Sequence, residues 1–132
     1  MNIVSTRGIK VAVETAFRPD LSNIDKNILF FNYAIEIENC NAYSVQLIER
    51  EWRIFDSLNV IRNVSGDGVV GEQPILKPDG VHIYNSGCDL NSEIGQMEGH
   101  YTFTKLDKSG KVVDIFKVDV PIIKLEFPYR LN

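Results

Sequence analysis

Leu29-Phe30-Phe31-Asn32-Tyr33-Ala34-Ile35-Glu36-Ile37-Glu38 is the stretch that decides the fold class, because its large apolar residues recur at every second position. Successive side chains of a β-strand point to opposite faces of a sheet, so a period of two places one set in a core. That set is Leu29, Phe31, Tyr33, Ile35 and Ile37. The other face turns from apolar to acidic along the stretch, so we expect a strand that begins buried on both faces and ends with one face in water.

The same alternation defines seven further strands along the chain. They are residues 9–17, 44–56, 60–64, 81–84, 97–106, 112–120 and 122–127. The apolar phase shifts between Leu47 and Ile48, which indicates a β-bulge or a strand that passes from one sheet to the other. No segment has a convincing helical period. We therefore predict an all-β fold, an antiparallel two-sheet sandwich of the immunoglobulin or fibronectin type III type, with Trp52 in its core and one domain over residues 1–132.

The composition of the chain limits which partners and which cellular location we expect for the protein. The chain has 132 residues, with 14 basic against 18 acidic residues and a net charge of -4, so nucleic acid is a poor partner. Cys40 and Cys88 are far apart and have no metal-binding spacing, so we expect buried, reduced thiols. The first residues lack the apolar segment of a secretory leader, and no apolar run is long enough to span a membrane. We predict a cytoplasmic protein that makes no membrane contact.

Gly66-Asp67-Gly68-Val69-Val70-Gly71-Glu72-Gln73-Pro74 is a glycine-rich run between two predicted strands. Its Pro74 stands where a nucleotide-binding fold would begin a helix, so the run does not fit a dinucleotide site. Two interpretations remain. The run is a structural turn that crosses between the sheets, or its backbone N–H groups cradle a phosphate while an arginine offsets Asp67 and Glu72.

Metal binding and catalysis have weak support in the sequence. A divalent cation needs several oxygens at one point, and the candidate acids are scattered. These are Asp56, Asp67, Glu72, Asp79, Asp89, Glu93 and Glu98. The two histidines, His82 and His100, lack zinc spacing with the cysteines. Ser86, His100 and Asp114 could form a triad on paper, but no nucleophile elbow accompanies them. We predict no cofactor and no enzyme activity, and leave a divalent cation open.

Several uncommon motifs follow one another in a fixed order. They are Val45-Gln46-Leu47-Ile48, Arg50 with Trp52, the glycine run, Tyr84-Asn85-Ser86-Gly87, Gly95-Gln96-Met97-Glu98-Gly99-His100-Tyr101 and Asp119-Val120-Pro121. This order resembles the ApaG family, from about Gly8 to Pro128. The resemblance implies a fibronectin type III-like sandwich. It also implies similarity to domains of eukaryotic proteins, such as an F-box protein and a DNA-polymerase-interacting protein, where they look like protein-interaction modules.

In bacteria the resemblance further implies an association with cobalt tolerance, magnesium efflux and a diadenosine tetraphosphate hydrolase gene. The family commonly has Arg-His-Trp where this chain has Arg50-Glu51-Trp52, so a metal role of that histidine does not carry over.

We therefore expect a non-catalytic binding module that contacts a protein partner or a phosphate-bearing ligand, as a monomer or homodimer. The candidate ligand-binding residues are Arg50, Gly66, Gly68, Gly71 and Gln73. The alternative is a factor in divalent cation homeostasis, for Mg or Co, or in nucleotide-phosphate metabolism. Residues 127–131 lie beyond the last predicted strand and form a candidate docking strip or dimer contact.

Overall fold

The computed structural model describes residues 2–57 and 59–128, and of Asn59 and Val60 it describes the backbone alone. The strands of this part are β1 (Asn2–Thr6), β2 (Ile9–Phe17), β3 (Leu29–Asn39), β4 (Ser44–Asp56), β5 (Asn59–Asp67), β6 (Ile75–Leu76), β7 (Val81–Leu90), β8 (Ile94–Leu106), β9 (Val112–Asp119) and β10 (Ile123–Glu126). Two short 3-10 helices, Pro19–Leu21 and Ile24–Lys26, lie between β2 and β3. No helix in the described ranges has the length and apolar character that crossing a membrane requires.

The strands form two antiparallel sheets, as the alternating pattern predicts. The smaller sheet has the order β1-β2-β3-β7. The larger sheet has the order β10-β8-β4-β5, and in addition β6 pairs with β4 and β9 pairs with β8. The prediction of an all-β antiparallel sandwich is confirmed.

The core lies between the two sheets and is built from the alternating residues. All five predicted inner residues of β3 are buried, and so are Met97, Tyr101 and Phe103 of β8. Trp52 is 5% exposed and packs near Tyr33 and Tyr101, with ring centroids 5.9 and 6.2 Å away. Gly99 lies opposite Trp52, and a Cβ at this glycine would come within 2.6 Å of the indole ring. The absence of a side chain at residue 99 therefore makes room for Trp52.

A β-bulge in β4 explains the shift of the apolar pattern. The pairing of β4 with β8 slips by one residue between Leu47 and Glu49. Because of this slip, Val45 and Leu47 before the bulge and Trp52 and Ile54 after it all face the core. The first of the two predicted explanations, a bulge, is the correct one.

Four details of the strand prediction are wrong. Strands β1 and β6 were not predicted, because β1 is largely exposed and β6 has two residues. Strand β7 continues six residues beyond Tyr84, since the polar Asn85-Ser86-Gly87 segment still pairs with β3 through its backbone. Strand β5 extends into the glycine run as far as Asp67. Main-chain pairing, which side-chain alternation does not report, accounts for these differences.

The cysteines and the end of the chain differ in part from expectation. Both cysteines are free, and Cys88 is buried, but Cys40 is exposed. The preceding residue, Asn39 at the end of β3, is buried instead. Its side-chain amide donates hydrogen bonds to the carbonyls of Tyr43 and Leu76, at 2.8 and 3.0 Å. Phe127 packs edge-on against Phe17 with centroids 5.1 Å apart, whereas residues 129–131 of the predicted docking strip lie outside the described residues.

Candidate functional site

The glycine run turns the chain back along one edge of the larger sheet. Strand β5 pairs with residues 49–56 of β4, and β6 pairs with Val45 and Gln46 of the same strand. The run between them, residues 66–74, therefore begins and ends in one sheet, and we call it the glycine loop. The prediction that it crosses between sheets is wrong, because the strands on both sides of it pair with β4.

The bulge residue Ile48 provides the anchor for the glycine loop. Its carbonyl accepts hydrogen bonds from the N–H of Gly68 at 2.7 Å and from the side-chain amide of Gln73 at 2.9 Å. In return, the side-chain amide of Gln46 donates to the carbonyl of Gln73 at 3.1 Å. The bulge thus frees a carbonyl from strand pairing, and the loop uses that carbonyl as its attachment point.

Arg50 holds the start of the glycine loop through hydrogen bonds to its backbone. One guanidinium nitrogen donates to the carbonyls of Asp67 and Gly68, at 3.0 and 3.1 Å. Gly66 pairs directly across from Arg50, and a Cβ at Gly66 would lie 3.0 to 3.1 Å from the guanidinium atoms. A side chain at residue 66 would therefore crowd the guanidinium of Arg50 and require it to shift.

The tip of the glycine loop is a two-residue hairpin. The N–H of Val69 donates to the carbonyl of Glu72 at 2.8 Å, and the N–H of Glu72 donates back at 3.0 Å. The middle residues, Val70 and Gly71, both have positive φ angles, 47° and 78°. This geometry suits a hairpin, but it is uncommon for a β-branched residue such as Val70.

The two glycines near the tip have different roles. Gly68 is buried with φ of +59°, and an added Cβ would meet the carbonyl oxygen of Glu72 at 2.0 Å. Gly71 has φ of +78°, but no atom lies within 4 Å of where its Cβ would be. Between them, Val69 is 1% exposed and belongs to the core, while Val70 is 62% exposed. One side of the loop is therefore packed into the sandwich, and the other faces solvent.

The structure brings four of the five predicted site residues into one network. Arg50, Gly66, Gly68 and Gln73 surround the bulge, and Gly71 lies apart at the tip. Three N–H groups that a phosphate cradle would use, those of Gly68, Val69 and Glu72, already donate to carbonyls within the protein. The loop therefore has a fixed shape and few free donors.

A cluster of tyrosines lies near Arg50 in the core, and sequence analysis placed these residues only as packing. The hydroxyls of Tyr84 and Tyr101 are hydrogen-bonded to each other. Burial raises the pKa of Tyr84 and the pKa of Tyr101 well above the usual range for tyrosine. Burial also raises the pKa of Tyr33, and the nearby charge of Arg50 opposes each of these increases. The cluster is protonated at neutral pH.

The alternative sites considered from the sequence do not come together. His100 lies 3.0 Å from a carboxylate oxygen of Glu51, and Asp114 lies 2.9 Å from Arg7. Both members of the supposed triad with Ser86 are therefore paired elsewhere. Among residues 2–57 and 59–128, no three His, Cys, Asp or Glu side chains converge in a way that could hold a metal ion.

The fold and the loop define a two-sheet β-sandwich domain that carries a clamped glycine loop on the edge of its larger sheet. Residues 19–105 match the family model of the ApaG domain. The chain is 38% identical over 124 residues to protein ApaG of Beijerinckia indica subsp. indica, covering 94% of this chain and 92% of that protein. It is 42% identical to protein ApaG of Methylobacterium nodulans, covering 88% and 91% of the two chains.

A solved structure also shows similarity to a protein of this kind. A crystal structure of a Bordetella pertussis protein described as ApaA superposes with a TM-score of 0.83 at 32% identity, and the match covers 92% of this chain and 95% of that one. The chain belongs to the ApaG family.

Proposed function

We propose that this chain is a cytoplasmic, non-catalytic binding module of the ApaG type, folded as one domain over residues 1–132, which contacts a protein partner through the glycine loop. The observation that carries the proposal is Val70. This β-branched residue has a φ of 47° and is 62% exposed at the tip of the loop. The left-handed conformation costs a residue with a side chain about 1–2 kcal/mol. Such outliers concentrate where a protein meets a ligand or a partner.

The contacts that hold the loop support the same conclusion. Arg50 and Gln73 fix its backbone from two sides, at distances of 2.9 to 3.1 Å. A segment ordered before binding loses little conformational entropy when a partner docks on it. The loop therefore presents an apolar side chain on a rigid support, which is a feature of protein-binding surfaces.

A phosphate-bearing small molecule is the second ligand class for this loop. It has less support, because the N–H groups of Gly68, Val69 and Glu72 donate internally and the carboxylates of Asp67 and Glu72 repel anions. The cytoplasmic location is supported by the two free cysteines, which fit a reducing compartment.

The proposal is tested by affinity capture with the full chain from an extract of the source organism. Val70→Glu adds a charge at the tip of the loop, and Ile83→Glu is the matched control, because Ile83 is 63% exposed on β7 of the other sheet. We expect a set of proteins that the wild type and Ile83→Glu retain and Val70→Glu loses. Retention of the same set by all three, at equal melting temperatures, contradicts the proposal.

A thermal-shift screen distinguishes the other ligand classes. A ligand that binds the folded state alone stabilises it by about 2.7 kcal/mol at a hundred times its Kd, which raises the melting temperature by several degrees. We expect no increase with nucleotides, pyrophosphate, Mg²⁺ or Co²⁺. An increase that disappears in Arg50→Met would assign the loop to phosphate, and an increase with either cation would favour divalent cation homeostasis.

A further inference from the structure

A second surface lies on the larger sheet, away from the tip of the glycine loop. It is a groove of ≈ 730 Å³ lined by residues of β4, β5 and β8, by residues 119–122 and by Val4 of β1. Drug-sized ligands occupy pockets of roughly 300 to 1,000 Å³, so the groove can take several side chains of a bound peptide. Pro121 and Ile122 give part of its wall an apolar surface.

Acidic side chains dominate the charge of this groove. Four carboxylates line it, and its cationic side chain is Arg53, joined by the ionisable His100. The four are Glu49, Glu51, Glu98 and Asp119. We call this surface the acidic groove.

Two of these carboxylates are already paired. Arg53 lies 3.3 Å from an oxygen of Glu98, and His100 lies 3.0 Å from an oxygen of Glu51. Lys117 approaches the other oxygen of Glu51 at 3.9 Å. Arg53 and Lys117 thus place positive charge beside Glu98 and Glu51 in one half of the acidic groove.

The other two carboxylates have no such neighbour. In the part of the chain that the structure describes, no lysine, arginine or histidine lies within ion-pair distance of Glu49 or Asp119. Asp119 is on β9 and Glu49 is on β4, so the two charges belong to strands on either side of β8. A ligand that forms ion pairs with both carboxylates has to extend across the groove and carry more than one positive charge.

We propose that the acidic groove binds an extended basic segment of a partner protein, in which two lysine or arginine side chains pair with Glu49 and Asp119. Lysine and arginine have long apolar stems that pack on surfaces such as Pro121 and Ile122 while their charged ends reach the carboxylates. Complementary charge also selects the partner and speeds its encounter. The acidic groove borders the glycine loop, because Glu49 pairs with Asp67, but its lining does not include the tip of the loop at Val70 and Gly71.

The test uses a fluorescein-labelled hexapeptide of alternating arginine and alanine and measures fluorescence anisotropy with the full chain. Glu49→Gln/Asp119→Asn removes the two unpaired charges. Glu14→Gln/Glu36→Gln, on exposed positions of the smaller sheet, changes the net charge by the same amount and is the control. We expect the groove variant to raise the Kd about tenfold and the control to raise it less than twofold.

Three results would overturn the proposal. One is an equal loss of affinity in both double variants, because that indicates attraction to overall negative charge. Another is the absence of measurable binding by the wild type. The third is displacement of the peptide by spermidine at equal concentration, which would assign the acidic groove to small polyamines. A peptide with glutamate in place of arginine should not bind.

Discussion

The inner faces of the two sheets and the glycine loop are held together by different forces. On the inner faces, large side chains such as Trp52, Tyr101 and Phe103 are 0 to 5% exposed, so burial of apolar area stabilises this region. The backbone of the glycine loop is held instead by hydrogen bonds from Arg50 and Gln73 to backbone carbonyls. Stability therefore resides mainly in the sandwich, whereas the polar clamp, formed by the side chains of Arg50 and Gln73, sets the shape of the loop.

The largest expected effect is on the core. Trp52→Ala removes the aromatic centre of the inner faces and leaves a cavity beside Gly99, so we expect the free energy of unfolding to fall by about 3–5 kcal/mol. Urea unfolding at 25 °C measures the change. Ile83→Ala, at a side chain that is 63% exposed, is the control and should change stability by less than about 0.5 kcal/mol. Similar losses in both variants would show that the indole is not the centre of the core.

A smaller effect is expected at the junction of the core and the loop. Gly68→Ala combines a positive φ with a Cβ placed 2.0 Å from the carbonyl oxygen of Glu72, so we expect a loss of about 2–3 kcal/mol. Gly71→Ala has a positive φ but open space, and should cost about 1 kcal/mol. Thermal and urea unfolding of the two variants give the difference. If Gly71→Ala is the more damaging, the assigned roles of the two glycines are reversed.

The hydrogen bonds from Arg50 to the glycine loop should contribute less to stability than Trp52 or Gly68. Arg50→Met keeps a long side chain but removes the charged donor to the carbonyls of Asp67 and Gly68, so we expect a loss of about 1–2 kcal/mol. Arg53→Met is the matched control, because the Arg53 side chain is 54% exposed and its contacts with Glu98 and with the ring of Phe55 lie at the surface of the sheet. It should lose less than about 0.5 kcal/mol. Equal values in urea unfolding would mean that Arg50 does not hold the loop.

Ionisation of the buried tyrosines should have the smallest effect on stability at neutral pH. Burial raises the pKa of Tyr33, Tyr84 and Tyr101, so the folded state keeps their protons at a pH where the unfolded chain has begun to release them. Their contribution to stability is complete below the ordinary tyrosine pKa of about 10 and is lost as the pH rises above it. Absorbance at 295 nm follows the ionisation. Titration of all five tyrosines near pH 10 without unfolding would contradict this.

Side-chain alternation predicted most of the fold because the sheets have one face in the core. The bounds of β2 and β4 follow from it, and the bulge at Ile48 follows from the shift of its phase. The polar half of β7 was not predictable in this way, because backbone pairing with β3 holds it in place. The same limit applies to β6, where two residues are too few to display a period.

Sequence analysis named four residues that lie together around the bulge, but it did not predict how they are arranged. Arg50 and Gly66 are 16 positions apart, and only the antiparallel register of β4 with β5 places them opposite each other. The position of Gly68 depends on its hydrogen bond to the carbonyl of Ile48, the bulge residue, which is 20 positions away in sequence. The acidic groove combines residues of β1, β4, β5, β8 and β9 with residues 120–122, so no local motif could indicate it.

Native-state hydrogen exchange of the wild type and Arg50→Met tests most directly whether the clamp shapes the loop independently of the core. The amides to compare are those of Gly68, Val69 and Glu72 in the loop and those of Tyr33 in β3 and Phe103 in β8. We predict that Arg50→Met accelerates exchange of the loop amides by about tenfold or more beyond any change at Tyr33 and Phe103, consistent with opening of a local unit. An equal acceleration at all of these amides would contradict this, because the loop and the core would then unfold together.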